Sequence, residues 1–245
     1  MVDNSQTQPT VDLPQENNSG WQSRGKGGKR NSPWLLRILI LIIAIVAVYF
    51  SFTFWNLPAP TYEGTELSGA APDFQLTDQN GSMISLSDFR GKIVVLAFMD
   101  TKCMDTCPIT ASHFRQVYQQ LNSAESEQVV FLGVNVNIGA STVADVYEIT
   151  QTWRLDEIPT WHFLTGSPAD LEQVWQAYGV AVESTHDAQN EKLLHTPGTY
   201  IIDPSGQERW YISVPISAKD NAEFDIPLSD LLISHLREIL SEIKR

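Results

Sequence analysis

Ile93-Val94-Val95-Leu96-Ala97-Phe98-Met99-Asp100-Thr101-Lys102-Cys103-Met104-Asp105-Thr106-Cys107-Pro108 holds both cysteines of this 245-residue chain and decides how the rest is read. The unbroken apolar run at residues 93–98 is the mark of a strand buried on both faces. After the cysteines, Phe114, Val117, Tyr118 and Leu121 recur at helical spacing. Pro108 suits the first turn of that helix, where its missing N–H costs nothing. Two thiols four residues apart therefore lie where a strand gives way to a helix, and positions i and i+4 share a helix face. The positive end of the helix favours thiolate there. Such a pair either closes on a soft metal ion or oxidises to a disulfide. Either way it is a reactive site.

Upstream, residues 38–55 (ILILIIAIVAVYFSFTFW) are uncharged and mostly apolar. As a helix they rise roughly 27 Å, near the thickness of a bilayer core. Arg24, Lys26, Lys29, Arg30 and Arg37 precede the run, and Phe54 and Trp55 close it like interface anchors. The expectation is a single transmembrane helix over residues 34–56 of a bacterial cytoplasmic-membrane protein. Its N-terminus is cytoplasmic, and its C-terminal part lies on the periplasmic or extracellular side. A cleaved signal peptide fits less well, because the n-region is long, the apolar run exceeds a usual h-region and no A-x-A site follows. A mitochondrial presequence fits poorly too, since residues 1–16 carry acids but no Arg or Lys. Residues 1–33 read as a disordered cytoplasmic tail and residues 57–69 as a linker. Residues 70–245 suffice for one domain with its own core.

The chain carries 29 acidic against 16 basic residues, a formal net charge of −13. That acidity excludes nucleic acid as a natural partner. In an oxidising compartment two cysteines most often form a structural disulfide. Here, however, the pair encloses only three residues, and so short a loop gives little entropic stabilisation.

Within the large domain the elements alternate. Residues 74–77, a turn at Asp78-Gln79-Asn80-Gly81 and residues 84–86 read as a hairpin. After the cysteine helix comes a strand over 129–136. Ser141 opens a further helix with Val143, Val146, Tyr147 and Trp153 facing inward. A short strand at 161–164 precedes Ser167-Pro168-Ala169-Asp170, a helix start with a capping pattern, and Gly179 is its stop. Residues 199–206 and 208–214 make a second hairpin, and Ser229 caps a final amphipathic helix carrying Leu232, Leu236, Ile239 and Ile243. The class is α/β: a thioredoxin-like mixed central sheet flanked by helices, with an added N-terminal hairpin.

Two thiolates favour Cu(I), and an imidazole suits as a third ligand. His113, off the apolar face of its helix, reads as solvated. His162, inside Trp161-His162-Phe163, reads as a structural strand residue. His186 falls in a polar stretch that reads as a loop, and His235 on the last helix is remote from anything reactive. His195 differs. It precedes Thr196-Pro197-Gly198, directly before a strand whose leading loop abuts the cysteine helix in a thioredoxin-type order. Met104 is by position either a soft accessory ligand or an exposed loop methionine.

Cys103-x-x-x-Cys107-Pro108, followed by His195-Thr196 and then Tyr200-Ile-Ile-Asp203-Pro-x-Gly206, resembles the Sco/SenC family of membrane-anchored copper proteins. Pro72-Asp73-Phe74, Leu86-Ser-Asp-Phe-Arg-Gly91-Lys92 and Trp161-His-Phe-Leu-Thr-Gly166, leading into Val174-Trp-Gln-Ala-Tyr178-Gly-Val180, support the resemblance, which covers about residues 70–245. It implies a thioredoxin fold and copper, as Cu(I) or Cu(II), held by Cys103, Cys107 and His195. It also implies a role in building the binuclear copper centre of cytochrome c oxidase subunit II. Two stretches bear on that. Val134-Asn-Val-Asn137-Ile-Gly-Ala-Ser matches the family's Asp-Pro-containing stretch only loosely. Pro197 falls where thiol-oxidoreductase relatives carry a proline with a cis bond, which adds weight to a redox function.

The leading expectation is a metallochaperone, a binding and transfer protein and not a turnover enzyme. The alternative is a thiol–disulfide oxidoreductase acting on the cysteines of that subunit or of other exported proteins, with Cys103 and Cys107 as its redox pair. A peroxidase reading is weaker, because Thr101 lies only two residues before Cys103. A zinc site would leave a fourth position open. Oligomeric state is not legible.

Overall fold

The computed structural model describes residues 33–55, 64–187, 190–213 and 227–243. They belong to two compact units, residues 1–57 and 58–245. The expected tail over residues 1–32 and the linker over 57–63 lie outside the described residues.

In the first unit, helix α1 (Pro33–Trp55) forms where the apolar run predicts it. Its side chains are described over residues 36–50, and the large apolar ones there are exposed, Leu36 and Leu41 by about 60%. Among the described residues, no helix is long and apolar enough to cross a membrane, so the expected transmembrane span is not assigned by the structure.

The second unit is built in the order β1 (Thr65–Glu66), β2 (Gln75–Thr77), β3 (Met83–Ser85), β4 (Ile93–Met99), α2 (Thr106–Gln120), α3 (Ser123–Ser126), β5 (Val129–Asn135), α4 (Val143–Thr152) and β6 (Trp161–Leu164). Then follow α5 (Pro168–Ala177), β7 (Val182–Asp187), β8 (Asn190–His195), β9 (Thr199–Ile202), β10 (Glu208–Ile212) and α6 (Leu228–Ile243). Six strands form one sheet in the order β1-β10-β9-β4-β5-β6. β4 runs parallel to β5, and β5 parallel to β6, while β9 is antiparallel to β4. This is the mixed sheet expected of a thioredoxin-like domain. β2 and β3 pair apart from it as the added N-terminal hairpin.

β4 is central, and all seven of its residues are buried. Successive strand residues point to opposite faces, so it feeds two cores. Ile93, Val95, Ala97 and Met99 pack with Phe114 and Val117 of α2 and Leu232, Leu236 and Ile239 of α6. Val94, Leu96 and Phe98 pack with Leu76 of the hairpin and Leu171 and Trp175 of α5. Gly133 on β5 is required by this packing. A Cβ there would stand 2.7 Å from the Trp161 ring, closer than any real contact.

Several local expectations are corrected. The stretch with His186 is not a loop: β7 and β8 pair antiparallel from Val182↔His195 to Asp187↔Asn190, a two-stranded sheet whose polar residues hid its alternation. Helix α4 is capped by Thr142, whose hydroxyl accepts from the Asp145 N–H, and not by Ser141. That start turns Val143 and Tyr147 outward, 37% and 50% exposed, while Val146 and Trp153 are buried as expected. Helix α6 begins at Leu228, so Ser229 lies inside its first turn and is buried, and Ile243 at its end is exposed. By contrast, Ser167 caps α5 through the Asp170 N–H with Pro168 in the first turn, and Gly179 after the helix takes the left-handed φ of +64°.

Candidate functional site

The site lies at the C-terminal end of β4, where the parallel strands of an α/β sheet commonly present their ligands. Asp100 follows the strand and is 6% exposed. Its backbone carbonyl accepts from the Cys103 N–H at 3.1 Å. Its carboxylate accepts from the Lys102 N–H and from the Asn137 side-chain amide, both at 2.8 Å. Asn137 is itself fixed, since its N–H donates to the Asn135 side chain, which in turn donates to the carbonyls of Asn137 and Ala140. The loop after β5 thus braces the turn that carries the cysteines.

Asp105 caps α2 by accepting from the Thr106 N–H at 2.7 Å. This starts the helix between the two thiols and places Cys107 in its first turn. The Cys107 N–H donates to the Cys103 sulfur at 3.3 Å, and the Thr106 hydroxyl lies 3.5 Å from it. Both cysteines are free. The Cys107 thiol hydrogen-bonds to Cys103 and, against the burial that opposes it, pulls the Cys103 thiol down to about 6. Cys107 is 4% exposed within the core. Its bond to Cys103, its burial and the Cys103 charge hold its own thiol far above the usual range. The pair is therefore unsymmetrical: Cys103 is the more acidic thiol, although the Asp105 carboxylate 3.1 Å from its sulfur opposes ionisation, and Cys107 keeps a proton.

His195 ends β8, opposite Val182, and the next residue closes back with the Thr196 N–H donating to the Ala181 carbonyl. Its Nδ1 is 3.1 Å from the Thr196 carbonyl. A carbonyl only accepts, so Nδ1 carries the proton and Nε2 keeps its lone pair. Burial holds the imidazole below its ordinary range, against the pull of the Thr196 carbonyl and the Asp100 charge. It is neutral at neutral pH, the form a metal requires.

Cys103 and His195 line one cavity of about 1100 Å³, together with Met104, Asn137, Trp175 and Pro197. Cys107 does not reach that lining and sits behind Cys103. Among the described residues, no three His, Cys, Asp or Glu side chains are gathered closely enough to hold a metal ion. The structure thus brings two of the three expected ligands to one cavity and keeps the third in the wall behind.

The SCO1/SenC family model matches residues 63–223. The chain belongs to that family. Among its relatives is the SCO2-like protein of Rickettsia typhi, 24% identical over 202 residues, covering 78% of this chain and 96% of the other. The thiol-disulfide oxidoreductase ResA of Bacillus subtilis is 32% identical over 116 residues, covering 47% of this chain and 60% of that one. The structure of Bradyrhizobium japonicum ScoI with copper bound shares the fold, with a TM-score of 0.56 at 21% identity, covering 70% of this chain and 99% of that one.

The remaining histidines of this SCO1/SenC chain fall elsewhere. His113 is half-buried, not solvated; its Nδ1 is enclosed, and burial lowers its pKa. His162 is structural as expected: its Nδ1 pairs with the buried Asp78 carboxylate at 3.1 Å. His235 is buried and stacks on Trp210 at 4.3 Å between ring centres. Pro197 lies at the cavity, but its peptide bond is trans. Sequence reasoning missed Asp100 and Asn137 as the brace of the cysteine turn. The signal was the pair of amides, Asn135 and Asn137, closing the β5 strand. It also missed Tyr211, whose hydroxyl donates to the Pro197 carbonyl, and Gly198, over which that ring lies so closely that a Cβ would be 2.2 Å from it.

Proposed function

We propose that this protein is a membrane-anchored copper metallochaperone. Its copper-binding domain spans residues 70–245, and copper is held by Cys103, Cys107 and His195. The recipient is the binuclear copper centre of cytochrome c oxidase subunit II or a similar copper-acceptor protein. One observation carries the reading: a preformed thiolate and a neutral imidazole face one open cavity. That donor set suits Cu(I) and also accepts Cu(II). The copper-bound ScoI structure of the same fold supports it.

The chain's own groups divide the work. Cys103 offers the first sulfur without losing a proton. Cys107 becomes a second thiolate only as its proton leaves, so cargo binding is coupled to proton release. His195 supplies Nε2 while Thr196 fixes its tautomer. Oxidation of the two thiols to a disulfide removes two ligands at once, so redox state gates loading. The exposed apolar helix α1, preceded by basic residues, serves as the single-pass anchor in a bacterial cytoplasmic membrane, N-terminus inside and the large domain outside.

A thiol–disulfide oxidoreductase is the second reading. The unequal thiols favour it, because a low-pKa thiolate backed by a protonated partner is the arrangement of an attacking cysteine, and ResA is a relative. Substituting His195→Ala separates the two. A copper protein loses Cu(II) binding and its thiolate charge-transfer absorption, whereas an oxidoreductase keeps its exchange rate. Unchanged copper affinity in His195→Ala would remove that residue from the site.

A further inference from the structure

We propose that Met104 is a ligand for Cu(I) at the cavity mouth, specific to the reduced ion; this rests on the copper reading above. Met104 lies between the two cysteines, is 94% exposed, and lines the same cavity as Cys103 and His195. A methionine ordinarily earns its place by filling apolar space. Met99, only five residues earlier, does so at 1% exposure. Met104 does not pack, so its thioether is what the position offers.

The placement of the thiols gives that thioether a task. Cys107 stands behind Cys103 and off the cavity lining, and the described residues present no ready three-ligand cluster. An arriving ion therefore meets Cys103 and Met104 first, two sulfurs on adjacent residues. A thioether is neutral, needs no deprotonation, and is a soft donor that favours Cu(I). His195, on the lining of the same cavity, suits the oxidised ion as well as the reduced one. Met104 then holds Cu(I) with Cys103, and it lets go first when an acceptor's ligands approach. Only metal–ligand bonds form and break in that exchange, and copper stays monovalent throughout.

The test is Met104→Leu in the full chain, with Met83→Leu as control, since Met83 on β3 is also exposed at 59%. Leucine keeps the volume and removes the sulfur. The reduced proteins are titrated with Cu(I) against a chromophoric chelator and examined by X-ray absorption, and the Cu(II) forms by visible absorption. Met104→Leu should weaken Cu(I) by about tenfold or more, the scale of losses at metal-site residues. It should also show one sulfur fewer around Cu(I), with the Cu(II) charge-transfer band intact. Met83→Leu should match the parent. Unaltered Cu(I) affinity and sulfur count in Met104→Leu would overturn the proposal while leaving the copper reading in place. A parent protein that takes up no Cu(I) would overturn both.

Discussion

The backbone N–H of Cys107 donates to the sulfur of Cys103 across 3.3 Å at the first turn of α2. Together with the Cys107 thiol, it makes one sulfur acidic at the expense of the other. Alkylation by iodoacetamide should therefore modify Cys103 alone near neutral pH, with a rate that climbs through a midpoint near 6. Cys107→Ala removes the largest contribution and should move that midpoint upward, whereas Cys107→Ser, which retains a donor, should move it less. Equal labelling of both cysteines at neutral pH would refute the asymmetry.

The same asymmetry fixes how stability of the reduced protein varies with pH. Cys103 has a folded pKa below its unfolded value of 9.0, so its contribution is present above that value and fades as pH falls through about 6. Cys107 has a raised folded pKa, so its contribution is complete below the ordinary thiol range and is lost as pH rises beyond it. Urea midpoints compared with the Cys103→Ser, Cys107→Ser double variant should show the parent gaining from about 6 to 9 and losing above.

Copper uptake should release protons by a matching schedule. Between about 6 and the ordinary thiol range Cys103 is already ionised, so Cu(I) displaces a single proton, from Cys107. Below about 6 it displaces two, and affinity falls more steeply there. Calorimetry in buffers of different ionisation enthalpy counts these protons. A pH-independent affinity would contradict the ligand set.

Asn137→Ala deletes the amide that bonds the buried Asp100 carboxylate at 2.8 Å. Leaving a buried acceptor short of a partner costs roughly 1–3 kcal/mol. Because Asp100 also receives the Cys103 N–H, the cysteine turn should loosen, read as a lower urea midpoint and faster backbone amide exchange at residues 102–106. A variant as stable as the parent would show that the brace is redundant.

Gly198→Ala pushes a methyl into the Tyr211 ring, which must leave the Pro197 carbonyl it bonds. Overpacking of this kind costs roughly 1–3 kcal/mol. The larger signature should be at His195, three residues upstream. Cu(II) affinity should drop while Cys103 alkylation stays at the parent rate, since only one wall of the cavity has moved. An unperturbed Cu(II) spectrum would separate Gly198 from ligand placement.

How far the fold could be read in advance depended on the kind of signal. β4 was legible because an unbroken apolar run has few alternatives, and α5 because Ser167, Pro168 and Gly179 each specify a helix end by local chemistry. The β7–β8 hairpin was not, because most of its sequence is polar and it pairs only with itself; Val182 and Leu193, which pack on the second core, are too few to show an alternation. Topology alone suggested that His195 lies near the cysteine helix; the structure sets it on the lining of the same cavity as Cys103. The burial of Cys107 could not be inferred from spacing, because i and i+4 on one helix face leaves open how deeply that face sinks. Val143 and Tyr147 were misjudged for a related reason: moving a helix start by one residue rotates every position after it.

One of the two sulfurs is also an interior atom. Cys107 packs in the same cluster as Ala111, Phe114 and Phe131. Substitutions that merely reshape this cluster, far from any ion, will retune how readily the second thiol ionises. In such a protein, grip on cargo and interior architecture are inherited together, and neither can drift without the other.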